Sequence, residues 1–264
     1  MRSMNLKIIL PLLIVVVAVG AGYGYMQLQG STEIDLDVVR IGVDVPYPPY
    51  EFRDDNGELT GFEIDLGNAT CRRLNIQCEW VVTPWDGIID GLLAGNYDTI
   101  MSSMSINSER KLLVDFSDPY YSTPSVLFTH SGSGINSDSK NALQERRIGV
   151  IANTIQHEYL METYGEVASI RTYETNDEVN AALRSQEVDA VFHDYPHWES
   201  EFMIGGNFPI LGDARQLGEG VGMAFRPEDD NLRRLFNQGL DSVKSDGTYN
   251  RIRKDYLFFD VMVD

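Results

Sequence analysis

The chain has 264 residues, 43% of them apolar, enough material for one large core or two smaller ones. Its 21 Lys and Arg face 40 Asp and Glu, a formal charge of −19, so its field repels nucleic acid and anionic lipid and excludes both as expected partners. Two cysteines, Cys71 and Cys78, stand too far apart for a zinc half-site and have no second pair beside them.

At the N-terminus, Arg2 and Lys7 precede an apolar run over residues 8–19 and a small-residue stretch to Gly24. That pattern reads as an export segment over residues 1–30. It is either a cleaved signal peptide or, because the apolar character continues to Met26, a retained membrane anchor. Without it, 19 cationic side chains face 40 acidic ones, a balance of −21 that favours solubility. In an oxidising compartment the even cysteine count favours a disulfide between Cys71 and Cys78. It closes a short loop and contributes about 2 kcal/mol.

Residues 31–37 are a polar lead-in, and the β-rich run over 38–43 is a strand stopped by Pro46-Tyr47-Pro48-Pro49. Tyr50-Glu51-Phe52 and Leu59-Thr60-Gly61-Phe62 flank an Asn56-Gly57 step suited to a hairpin. Ile64, Leu66, Cys71 and Leu74 share one face of a helix over 63–74, followed by a strand over 76–82. Thr83-Pro84-Trp85-Asp86 has the hydroxyl cap, proline and acid of a helix start, and that helix should run to about Ala94 and end at Gly95. A strand over 97–101 follows. Further on, residues 148–151 read as a strand, Thr154 opens a helix to about Tyr164, and Thr175-Asn176-Asp177-Glu178 is a capping box for a helix to about Ser185. Strands over 188–192 and 220–225 and a helical stretch from about Asp229 complete the order. Alternating strands and helices predict an α/β fold with largely parallel sheets. The strand–helix–strand order of 38–101 recurs over 148–192 without a convincing sequence repeat. Two lobes are expected, with a cleft between them, the usual place for a small-molecule site.

No P-loop or nucleophile elbow is present, and neither a cofactor nor a metal is expected. His193 and His197 have the four-residue spacing of helix-borne metal ligands, but Pro196 interrupts them. The informative stretch is Ile100-Met101-Ser102-Ser103-Met104-Ser105-Ile106-Asn107-Ser108-Glu109-Arg110. A buried strand ends in three serines with an arginine close behind. Hydroxyls and free amides at such a turn can bond both charged groups of an amino acid, and Arg110 offers a planar fork matched to a carboxylate. On spacing alone, a serine-capped helix with Arg110 in a surface ion pair fits as well.

Val39-Arg40-Ile41-Gly42-Val43-Asp44, Tyr47-Pro48-Pro49, Gly61-Phe62-Glu63-Ile64-Asp65-Leu66 and Ser102-Ser103-Met104-Ser105 occur in an order and spacing that resembles family 3 extracellular solute-binding proteins. Those are the periplasmic receptors of polar amino acid ABC transporters. Phe116-Ser117-Asp118-Pro119-Tyr120, Val188-Asp189-Ala190 and Gly222-Met223-Ala224-Phe225-Arg226 extend the likeness over residues 38–260. The segment from Cys71 to Cys78 is similar to the subgroup binding lysine, arginine, ornithine, histidine or opines. The resemblance implies a type II periplasmic binding protein over 36–264. Lobe 1 would take about 36–123 and 225–264, lobe 2 about 124–224, with hinge crossovers near 123–126 and 221–225.

It also implies roles. Arg110 would clamp the α-carboxylate, helped by the amides of Ser103 and of the Thr154-Ile155 turn at a helix N-terminus. Asp194 would accept the α-ammonium, with Ser105 and the Ser102 carbonyl. Tyr47 and Trp85 would sandwich the side chain, and Asp44 would receive its distal group, an arrangement suited to a cation. Where the family commonly has Gly-Thr-Thr, this chain has Asn153-Thr154-Ile155, which leaves Ile155 an amide but no hydroxyl; Gln156 would lie near the side-chain pocket. The expected function is capture of a free amino acid by a monomeric, non-enzymatic periplasmic protein that delivers it to a membrane permease. The alternatives are a periplasmic cyclohexadienyl or arogenate dehydratase and a membrane-tethered amino acid sensor.

Overall fold

Val38–Val43 forms strand β1, an apolar run that alternates little because helices cover both faces of its sheet. In the computed structural model, residues 38–257 and 261–262 are described; the export segment and polar lead-in fall outside them. The hairpin strands β2 (Phe52–Arg53) and β3 (Leu59–Thr60) follow, then helix α1 (Phe62–Leu74), β4 (Gln77–Val82), α2 (Ile88–Leu93), β5 (Thr99–Ile100) and β6 (Asp115–Phe116). The second half holds β7 (Pro124–Thr129), β8 (Arg147–Ile151), α3 (Ile155–Tyr164), β9 (Ser169–Tyr173), α4 (Asn176–Arg184), β10 (Ala190–Asp194), α5 (Tyr195–Glu201) and β11 (Ile210–Gln216). The chain closes with β12 (Ala224–Phe225), α6 (Asp230–Ser245) and α7 (Thr248–Tyr256).

These strands build two five-stranded sheets, ordered β4-β1-β5-β12-β6 and β11-β7-β10-β8-β9. The second sheet is a continuous insertion into the first. The chain leaves sheet one after Phe116 and enters sheet two at Pro124; it leaves sheet two after Gln216 and returns at Ala224. Val221 bridges Tyr121 and Ser105, which sews the two crossing segments to each other and to lobe 1. Within each sheet three strands run parallel: β4, β1 and β5 in one, β9, β8 and β10 in the other. Ligands in such sheets settle outside the carboxyl ends of the strands. Here those six ends lead to Thr83, Asp44, Met101, Glu174, Ala152 and Tyr195.

Side-chain alternation accounts for the cores. In lobe 2, Leu127, Ala190 and Phe192 face one cluster with Ile148, Val150 and Leu160, while Val126, Phe128 and Val191 face the other with Val179, Leu183 and Val188. In lobe 1, α1 lies against α6 and α7 around Phe62, Leu66, Phe236, Leu240 and Tyr249. Gly61 is required where it stands, because its φ is +122° and a Cβ would sit 2.2 Å from the Tyr50 carbonyl oxygen. The Cys71–Cys78 disulfide joins α1 to β4 with its Cα atoms 6.1 Å apart.

Two elements depart from the sequence reading. The strand expected over 220–225 is confined to Ala224–Phe225. Thr83-Pro84-Trp85-Asp86 is not the start of a helix; α2 begins only at Ile88, after Gly87 with φ +79°. The amide of Thr83 pairs with the Val43 carbonyl at 2.9 Å and prolongs the sheet instead. Trp85 and Asp86 are then held toward lobe 2, where Asn153 accepts from the indole at 3.4 Å through its carbonyl and donates its side-chain amide to Asp86 at 3.2 Å. Tertiary contacts outweigh the local capping signal.

Candidate functional site

Every residue carried over from the resemblance lines a single cleft of about 620 Å³ between the two sheets, its open mouth included. The segment after β5 supplies its floor. Asp44 donates its amide to Ser102 Oγ at 2.9 Å, and that hydroxyl in turn points to Glu51 Oε1 at 3.4 Å. Ser103 adopts a left-handed φ of +51°, which turns its amide onto Glu63 Oε2 at 2.6 Å and its hydroxyl onto Glu51 Oε2 at 3.2 Å. The Ser103 amide is therefore already occupied by a carboxylate and is not a donor left open to a ligand anion. This corrects the expected role of Ser103, although the residue itself lines the cleft.

Glu51 and Glu63 lie buried beneath this turn, with Tyr120 also donating to Glu63. Burial pushes both carboxyls upward, and Glu51 well above the ordinary range because the Glu63 charge adjoins it. Both carboxyls are thereby biased toward the protonated form, Glu51 the more strongly. The readable signal was an acid inside each of two apolar runs, Tyr50-Glu51-Phe52 and Phe62-Glu63-Ile64. What the sequence could not supply is that Ser103 draws the two together.

Arg110 opens a short 3₁₀ turn, Arg110–Leu112, its amide held by Asn107 Oδ1 at 2.8 Å. Its guanidinium reaches the Ser105 carbonyl at 2.8 Å and, across the cleft, the Asn153 carbonyl at 3.0 Å. It lies 5.1 Å from the centre of the Trp85 ring. Burial lowers its pKa to about 10, against the pull of Glu158 and Glu109, so it remains cationic at neutral pH. No surface ion pair forms, and the bland alternative for this arginine is set aside by position.

Asp194 ends β10 on the opposite wall. It accepts from the Tyr47 hydroxyl at 2.6 Å, Gln156 Nε2 at 2.8 Å and Ser125 Oγ at 3.2 Å. Burial raises its pKa while those donors pull it back. The Tyr47–Asp194 bond spans the cleft, and the His193 ring backs Tyr47 with centroids 5.6 Å apart. Burial holds His193 neutral, with a pKa of about 3. Its Nδ1 accepts the Asp194 amide, which leaves Nε2–H to donate to Asn176 Oδ1 at 2.8 Å. His197 stacks on it at 4.0 Å and bonds Asn180 in the same way. Both rings serve the wall, and among the described residues no group of three metal-ligating side chains occurs.

Asp44 sits low in the cleft, its carboxylate accepting from the amides of Trp85 and Val45; burial nevertheless raises its pKa to about 6. Thr154 caps α3, its hydroxyl engaged within its own turn by the His157 amide and the Ile151 carbonyl. The N-terminus of that ten-residue helix faces the cleft through Thr154, Ile155 and Gln156. Glu51, Glu174 and Asn176 also line it and were not singled out from sequence; His193, weighed there only as a metal ligand, lines it too.

Residues 39–259 match the profile of bacterial extracellular solute-binding proteins, family 3. The chain belongs to that family. It is 36% identical over 232 residues to the L-arginine-binding protein of Pseudomonas aeruginosa, covering 84% of this chain and 89% of that one. A periplasmic His/Glu/Gln/Arg/opine family-binding protein from Silicibacter pomeroyi, solved in complex with lysine, is 38% identical with a TM-score of 0.76, covering 86% of this chain and all of the other. The ancestral amino acid-binding protein AncCDT-1, a precursor of cyclohexadienyl dehydratase, is 33% identical with a TM-score of 0.76, covering 83% and 95%. The fold is thus that of the periplasmic amino acid-binding proteins, two α/β lobes around a cleft.

Within this family member, geometry sorts the residues of the cleft by what they still have to offer. Two of the five guanidinium N–H groups of Arg110 are engaged, leaving three. Asp194 is held by Tyr47, Ser125 and Gln156, with Thr123 a further side-chain donor to it. Gln156 is committed to Asp194 and Ser125 and positions the acid rather than facing the cleft freely.

Proposed function

We propose that this protein is the substrate-binding component of an ABC importer, exported to the periplasm, and that it captures a free cationic amino acid of the arginine, lysine, ornithine or histidine kind. The observation that carries this reading is the division of charge in the cleft. Arg110 stands on lobe 1 and Asp194 on lobe 2, with Asp44 below them and no cation beside it. The α-carboxylate takes the remaining N–H groups of Arg110 and the first amides of α3. The α-ammonium pairs with the Asp194 carboxylate, and the side chain passes between Tyr47 and Trp85 toward Asp44. Burying both α-charges is costly unless each is fully paired, so a solute lacking either is rejected. The lobes close about the segments 117–123 and 217–223, and the closed monomer docks on its permease.

The test is calorimetry on the mature protein after a thermal-shift screen across the amino acids, in which a bound ligand raises the melting point. Arg110→Ala should abolish the titration while the far-ultraviolet dichroism stays unchanged; near-normal affinity would sink the reading. A second reading, an exported dehydratase, draws on one observation: Asp44, raised to about 6, is a carboxyl able to hold a proton in the cleft. Recovery of the bound amino acid unchanged, and no turnover of prephenate, decides for binding.

A further inference from the structure

Four carboxylates line the cleft, and they differ in what already engages them. Asp194 is held by side-chain donors from Tyr47, Ser125, Gln156 and Thr123, and Glu51 shares its burial with Ser102, Ser103 and Glu63. Asp44 accepts from two backbone amides. Glu174 is an exposed residue that lines the same cavity, and no hydrogen bond or ion pair joins its carboxylate to the described residues. We propose that Glu174 is a specificity-determining residue: with Asp44 it receives the distal charge of the bound side chain, one carboxylate from each lobe, and favours a guanidinium. This rests on the amino acid-binding reading above.

Placement carries the argument. Glu174 follows Tyr173, the carboxyl end of β9, and precedes Thr175, the cap of α4. The Thr175–Glu178 capping box is closed, and the Glu174 amide itself donates to Glu178 Oε2 at 3.0 Å. The backbone beneath the side chain is therefore held, so the carboxylate is presented from a fixed base. Two residues on, Asn176 accepts from His193 and donates across the cleft to the Pro46 carbonyl at 3.2 Å. Asp44 lies two residues before Pro46. The Asn176–Pro46 bond thus ties the loop of lobe 2 that carries Glu174 to the loop of lobe 1 that carries Asp44.

Charge points the same way. Arg110 is the one Lys or Arg among the lining residues, and the α-carboxylate takes its free N–H groups. Among the lining residues, Asp44 and Glu174 then meet a cation only when the ligand brings one. A planar guanidinium has two N–H edges and can meet a carboxylate on each wall, whereas an ammonium is a compact charge that gains less from the second wall. A neutral side chain of the same length would leave both acids unmatched.

The experiment compares arginine with citrulline, which keeps the length and planarity but carries no charge, and with lysine. Calorimetric titrations are run on wild type and Glu174→Gln, with citrulline measured by displacement. Glu174→Gln should weaken arginine by about 5- to 10-fold and leave citrulline within about twofold, with lysine between. Equal losses for arginine and citrulline, no loss for either, or a loss that disappears at 0.5 M salt as pure long-range attraction would each overturn the inference. Wild type that binds neither arginine nor lysine overturns the underlying reading as well. Wild type that binds arginine tightly beside an unaltered Glu174→Gln overturns this inference alone.

Discussion

The two lobes carry the same brace and different chemistry. In lobe 1, Arg40 donates its amide and Nε to Asp98 Oδ2 and a terminal nitrogen to Oδ1; in lobe 2, Arg147 does the same to Asp189, atom for atom. Each arginine begins an Arg-Ile-Gly-Val run in the central parallel strand, and each aspartate precedes the strand beside it. Each arginine also donates to the carbonyl of the left-handed residue that follows the preceding helix, Gly95 in one lobe and Gln186 in the other. Above this shared frame the carboxyl-end loops diverge. Lobe 1 presents a guanidinium, an aromatic pair and a buried acid pair; lobe 2 presents Asp194 and the amide end of α3. A repeated scaffold can thus divide the two charges of a zwitterion between its halves. In our proposed function neither lobe holds both charges alone, so tight binding and closure become one event.

The largest effect should come from breaking that division. Asp194→Asn keeps its neighbours in contact but removes the charge, and should weaken amino acid binding by about 100-fold in calorimetry, comparable with the loss of Arg110. A variant within fivefold of wild type would show that lobe 2 does not hold the ammonium. Next comes the acid pair, which has no counterpart among the described residues of lobe 2. The folded chain binds the Glu51 proton more tightly than the unfolded chain does, since its pKa is raised above 4.5. That group therefore lowers stability progressively as pH rises above about 4.5, toward its folded value. Glu51→Gln should raise the melting point by about 2–4 °C at pH 8 and by less at pH 4; a gain independent of pH would contradict the raised Glu51 carboxyl. The smallest effect tests the symmetry itself. Arg40→Ala and Arg147→Ala act on half-exposed braces, and each should lower the melting point by a similar 2–3 °C or so. A clear inequality would show that one lobe relies on its brace more than the other.

Much of this was readable in one dimension. Hydrophobic periodicity located β1, α1, β8 and α4 to within a residue or two, and the Thr175 capping box formed as its residues require. Arg110 could be singled out because a guanidinium beside a serine-rich turn is chemically conspicuous, whereas Asp194 was reached only through the family resemblance. The start of α2 was misread because Trp85 and Asp86 answer to Asn153 in the other lobe, not to the local cap. The Ser103 amide was taken for a free anion donor because nothing nearby in sequence says that Glu63, forty residues earlier, fills it. The Arg-Ile-Gly-Val repeat is four residues long and gained meaning only when both copies proved to hold the same aspartate.

By itself, then, the sequence determined what depends on neighbours along the chain: helix and strand periodicity, capping, charge, and which side chains are able to pair with an amino acid. Tertiary structure alone decided which of those side chains are already taken. Tyr47 and Asp194 are separated by 147 positions and meet at 2.6 Å, and Asn176 reaches Pro46 across 130. Hydrogen-bonding capacity belongs to the residue, but its saturation belongs to whatever folding brings within 3 Å, and only the saturated inventory leaves Arg110, Asp194, Asp44 and Glu174 with something to offer.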